Sequence, residues 1–114
     1  MKWSLLLLAL IACRGSSDGG PPCDAVGAKF FALAKDDLAH TKVDDQLQRA
    51  VNDQLPAMRD SLVTVCKETK FTVAVRSCLT QAVDHTAFAA CESQLTEDQR
   101  RALDRATRGE DPSK

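Results

Sequence analysis

Five cysteines, at positions 13, 23, 66, 78 and 91, and two histidines, at 40 and 85, are the side chains of this 114-residue chain with the most chemistry open to them. Thiols and imidazoles together can hold a metal, run a redox cycle or act as nucleophile and base; thiols alone can form structural disulfides. Spacing separates these uses. Cys66, Cys78, Cys91 and His85 supply zinc-type donor atoms, but no C-x-x-C or H-x-x-x-H pair sets two of them side by side, so neither a metal site nor a cofactor is expected. A reactive dithiol of the C-x-x-C type is missing on the same count. Ser61, Ser77 and Ser93 fall inside helical patterns, with no G-x-S-x-G elbow to expose a nucleophile. Asp36 with Asp37, and Asp44 with Asp45, are neighbours that point apart on a helix, which suits caps or a solvated face rather than an acid–base couple. His40 closes the first helical pattern, where an imidazole complements the helix dipole, and His85 sits in the turn before Phe88. The reading is therefore non-enzymatic, with four cysteines committed to two disulfides. The alternative is a small thiol-active or other enzyme using Cys78, Cys91 or His85.

Cys13 stands apart from the other four. Lys2 gives a basic start, Leu5 to Ala12 an unbroken apolar run, and Ala12 a small residue before the cysteine, which is the pattern of an export signal. Eight apolar residues are too few to span a bilayer. At Leu10, Ile11, Ala12 and Cys13 the segment resembles the lipobox of bacterial lipoproteins. The resemblance implies a signal peptide over 1–12 and acylation of Cys13, with palmitate among the acyl chains, as the first mature residue. It also implies anchorage in the cell envelope, at the outer membrane in preference to the inner because Arg14 is not the aspartate associated with inner-membrane retention in enteric lipoproteins, and facing the periplasm or the surface. Two or more acyl chains hold a protein firmly to a membrane. An ordinary secretory signal that happens to end in cysteine is the other reading, and it leaves an odd thiol. Residues 13–22, with "RGSSDGGPP", have the composition of a flexible tether. In an oxidising compartment the remaining even set of Cys23, Cys66, Cys78 and Cys91 reads as two bridges.

The elements that must position these cysteines are helical. Aromatic residues make up 4% of the chain, so the core has to come from Leu, Val and Ala, which suits packed helices rather than a sandwich. Val26, Phe30, Phe31, Leu33, Ala34 and Leu38 recur at three- and four-residue steps from Cys23 to about His40. "HTKVDD" breaks the pattern, with Thr41 or Asp44 as the next N-cap. A second stripe, Leu47, Val51, Leu55, Met58, Leu62 and Cys66, passes through Pro56. Proline inside a helix either kinks it or marks a restart, and the continuous stripe favours two nearly collinear pieces. Thr72 caps a third helix with Val75, Cys78, Leu79, Ala82 and Val83 inward, and "DHT" at 84–86 begins a shorter one carrying Phe88, Cys91 and Leu95. "TEDQ", from Thr96 to Gln99, fits a capping box before Leu103 and Ala106. The expected fold is all-α: a bundle of four to five short helices over 23–107, with a disordered tail at 108–114.

An antiparallel hairpin brings together residues equidistant from its turn. Cys23 and Cys66 straddle the break at 41–45, and Cys78 and Cys91 straddle "DHT", so these pairs are favoured. The rival scheme, Cys66 with Cys78 and Cys23 with Cys91, stays open because loop-closure entropy separates the two totals by well under ~1 kcal/mol. The arrangement "C…RxCLxxA…C", carried here by Cys66, Arg76, Cys78, Leu79, Ala82 and Cys91, resembles a loose group of small helical four-cysteine lipoproteins of delta-proteobacteria. That resemblance implies fold and anchorage and brings no activity with it. A net charge of -1 gives no basic excess for nucleic acid. Arg100, Arg101, Arg105 and Arg108 lie close together but are mixed with Glu97, Asp98 and Asp104, which suits an exposed helix face more than a lipid-headgroup or acidic-partner site. The expected partners are thus the membrane, through the lipid, and another envelope protein met through a helix surface. Ligand carriage in a small helical cavity is a third possibility.

Overall fold

The computed structural model describes residues 19–109. The expected signal segment, Cys13, the expected tether up to residue 18 and residues 110–114 lie outside them. Five α-helices follow in order: α1 (Cys23–His40), α2 (Asp45–Glu68), α3 (Val73–Gln81), α4 (His85–Ala90), which runs on into a 3-10 turn over Cys91–Gln94, and α5 (Glu97–Thr107). There is no strand among the described residues.

The helix starts are set by short polar side chains. Asp44, Thr72 and Asp84 each accept a hydrogen bond from the backbone N–H three residues on, satisfying a donor the helix itself cannot pair. Thr96 and Gln99 form the full capping box of α5. Gln99 is buried and does a second job, since its Nε2 donates to the carbonyl of Thr69 at 2.9 Å and so joins the start of α5 to the end of α2. That end of α2 closes in a Schellman arrangement: Lys70 takes the left-handed conformation (φ 57°) and the Phe71 N–H bonds to the Cys66 carbonyl at 3.0 Å. Phe71 is thereby turned into the core.

Pro56 does not divide the second stripe. The sequence favours two collinear pieces, and the structure has one uninterrupted α2 of 24 residues. Pro56 lies on its exposed side, so the carbonyl that loses an amide partner is near water and the apolar side of the helix is left intact.

α1 and α2 form a long antiparallel hairpin, and the shorter helices pack on it: α3 and α4 against α1, α5 against α2. Gly27 is buried where the two long helices come closest, and a Cβ there would stand 2.4 Å from Cγ2 of Val63. The core joins Val26 from α1 and Leu62, Val65 and Cys66 from α2 to Val75 and Leu79, Phe88, Leu95, and Ala102 and Ala106. Lys29 reaches across to the carbonyl of Ala82 at 3.1 Å, closing the C-terminus of α3 with a cation.

Two other expectations are corrected. Val83 is 83% exposed, because α3 ends at Gln81 and the chain turns before Val83 can face inward. Leu47 and Val51 begin the α2 stripe but are not buried, and Leu47 is 49% exposed, since the core cluster stops short of that part of the hairpin.

Candidate functional site

The four described cysteines are joined as Cys23–Cys66 and Cys78–Cys91, with Cα separations of 5.7 and 5.9 Å. The first bridge ties the start of α1 to the end of α2, and the second ties α3 to the 3-10 turn. Cys66 and Cys91 are almost wholly buried. In this state none of these four cysteines offers a thiolate as nucleophile or metal ligand. Among the described residues no group of three His, Cys, Asp or Glu is placed to hold a metal ion.

His85 is the remaining member of the alternative site. It opens α4 and is exposed, with Nδ1 4.0 Å from a carboxylate oxygen of Asp37. It stands at the rim of an apolar cavity of about 80 Å³ between α1, α2, α4 and α5, floored by Phe30, Leu62, Phe88 and Leu103. Ser61 lines the same cavity, but no hydrogen bond links it to His85, so a nucleophile–base couple is not assembled. The volume is about half that of an engineered cavity that accepts benzene, of order 150 Å³. Phe30 and Phe88 meet across it with ring centroids 6.2 Å apart. His40, at the end of α1, has Nδ1 2.8 Å from the carbonyl of Asp36, a local bond at a helix C-terminus.

Two arginines at this end of the chain, Arg101 in α5 and Arg108 at its C-cap, are held by neighbouring acids, and Arg100 donates to the Glu92 carbonyl at 3.4 Å. Arg101 donates to Asp98 at 2.8 Å and Arg108 pairs with Asp104. The hydrogen bond and charge of Asp98, with Glu97 nearby, hold the Arg101 guanidinium above its ordinary pKa. This is an exposed, internally paired helix face.

Comparison with protein-family models, with curated proteins and with solved structures found no match to this chain. The site must be judged on its geometry. No helix among the described residues is long and apolar enough to cross a membrane.

Two regions stand apart from the cysteines and histidines. One is the distal hairpin, residues 35–54, in which no residue is buried although Leu38, Val43, Leu47 and Val51 are apolar. The same segment carries five aspartates, at 36, 37, 44, 45 and 53, against Lys35, Lys42 and Arg49. The other centres on Arg76, which the sequence offers only as part of the RxCLxxA arrangement. It is 6% exposed, with Nε bonded to the Phe71 carbonyl at 3.1 Å and one terminal nitrogen to the Pro21 carbonyl at 2.7 Å. An arginine next to Val75 and three residues before Leu79, on the inward arc of a short helix, is the signal that marks it.

Proposed function

We propose that this protein is a lipid-anchored envelope protein without catalytic activity, which presents the distal α1–α2 hairpin to another envelope protein. The observation that carries this reading is the uncovered segment 35–54, where apolar side chains on both helices stay accessible while the rest of the hairpin is packed over. The acidic excess of that segment defines the chemistry of the partner: an apolar helix surface with a basic rim. The thiol-active alternative has less support, because Cys78 and Cys91 are bonded to each other and His85 has no nucleophile bonded to it. Anchorage rests on the lipobox-like segment ending at Cys13 and on the tether that follows.

A photo-crosslinking residue placed at position 47 in the cells of origin, with the same residue at position 101 as control, tests the proposal. The expected result is a discrete adduct from position 47 that disappears when Leu38→Asp is added. Equal labelling from both positions, or none above background, would sink it.

A further inference from the structure

The tether does not end where its composition suggests. Gly19, Gly20, Pro21 and Pro22 read as linker, yet they lie against α3. One terminal nitrogen of Arg76 bonds to the carbonyls of Gly19 at 3.4 Å and Pro21 at 2.7 Å, while Nε holds the Phe71 carbonyl. Gly20 has φ +73°, and a Cβ there would stand 2.6 Å from Cγ1 of Val73. Backbone in this conformation, passing this close to a neighbour, calls for glycine. A buried arginine that gives its donors to three backbone carbonyls is a clamp on the chain that carries them.

We infer that Arg76 makes the α2–α3 corner the membrane-facing end of the domain and points the 41–44 turn of the hairpin away from the lipid. The inference rests on the reading that Cys13 is the membrane attachment. Six chain steps separate Cys13 from Gly19, a reach of at most about 20 Å at 3.3–3.6 Å per residue. Were the leash free as far as Cys23, its ten steps would extend to about 35 Å. α2 is about 36 Å long at 1.5 Å per residue, so the longer leash would let either end of the hairpin approach the surface and the shorter one would not. Lys70 flanks the docked segment at the α2–α3 corner, where its charge suits an anionic lipid surface, and Lys67 beside it pairs with Asp24 at 3.4 Å. The acidic distal hairpin would be repelled from the same surface.

The sole tryptophan is Trp3, within the expected signal segment, so a chain beginning at Cys13 has none. This chain, with both disulfides formed, is coupled through the Cys13 thiol to maleimide-bearing lipid in vesicles of phosphatidylcholine and phosphatidylglycerol containing dansyl-headgroup lipid. Coupling supplies the anchor whether or not the cell acylates Cys13, so failure of the lipoprotein reading and failure of this inference are separable. A tryptophan donor is introduced by Lys67→Trp or by Leu47→Trp. Energy transfer to the lipid is expected to be several-fold stronger from position 67 than from 47, and the contrast should collapse when Arg76→Ala is added. Equal transfer from both positions, or a contrast indifferent to Arg76→Ala, would overturn the inference. If Arg76→Ala lowers the helical circular dichroism signal, Gly20→Leu takes its place. That substitution expels the docked segment from Val73 and leaves the arginine and the helix core in position, and the same two outcomes decide.

Discussion

The two ends of the α1–α2 hairpin have similar helix-forming sequences and opposite surroundings. At the open end, Cys23 is bonded to Cys66, Val26 and Val65 are fully buried, and α3, α4 and α5 cover both legs. At the turn, from residue 35 to 54, the apolar stripes continue but no side chain is buried. Stability is therefore concentrated at one end, and the other is held up by it. The core cluster stops short of the distal helices, which meet the rest of the domain at the exposed His85–Asp37 contact, so their local opening free energy should fall well below the global value. A stripe of leucine and valine states that a helix has an apolar face, and the tertiary partners decide how much of it is buried.

The largest expected effect comes from opening the first bridge. Replacing both Cys23 and Cys66 by serine releases a 43-residue loop, for which the chain-entropy model gives about 4 kcal/mol, against about 3 kcal/mol for the 13-residue loop closed by Cys78 and Cys91. Urea titrations of the two double variants should rank in that order, and equal midpoints would mean the open end is not the main source of stability. Next, truncation of the core should separate the two regions directly. Leu62→Ala, within the core, should lose about 2–5 kcal/mol. Leu47→Ala, at the half-exposed position, should stay within about 0.5 kcal/mol of the parent. A large loss from Leu47→Ala would show that the distal hairpin is structurally committed and would weaken the proposal that it is a contact surface. A gain, smaller than the loss at Leu62, is expected at the covered end. Lys70 occupies a left-handed position at the C-terminus of α2, where glycine avoids the Cβ conflict, so Lys70→Gly should raise stability by on the order of 0.5–1 kcal/mol in the same titration.

Most of the helical framework was legible from three- and four-residue spacing and from caps. Asp44, Thr72, Asp84 and the Thr96–Gln99 box each stand at a helix start, because a capping side chain acts on amides within its own turn and needs no distant partner. The midpoint argument also reached the disulfide pairs present in the structure, since a hairpin converts sequence distance from a turn into spatial proximity. What was not legible depends on contacts between elements. Gly27 and Val63 meet across the hairpin, Gln99 reaches a carbonyl thirty residues away, and Arg76 reaches back more than fifty to the tether. Periodicity could not show that Val83 falls past the end of its helix, nor that the core cluster stops short of Leu47. Of the site residues, the paired cysteines were readable from spacing, whereas the clamp and the uncovered hairpin emerge only once the neighbours of each helix are known.

The Cys23–Cys66 bridge also determines how the domain carries a load. Tension applied between the N-terminus and the turn at 41–44 arrives at Cys23 and divides there, one share running up α1 and the other crossing the sulfurs into α2. The two long helices are pulled in parallel, so the hairpin cannot be peeled open from its covered end while that bond is intact. Residues 19–22 lie outside the bridged loop and are held by hydrogen bonds and packing alone. They would yield first, adding a few residues of slack before any force reached the core.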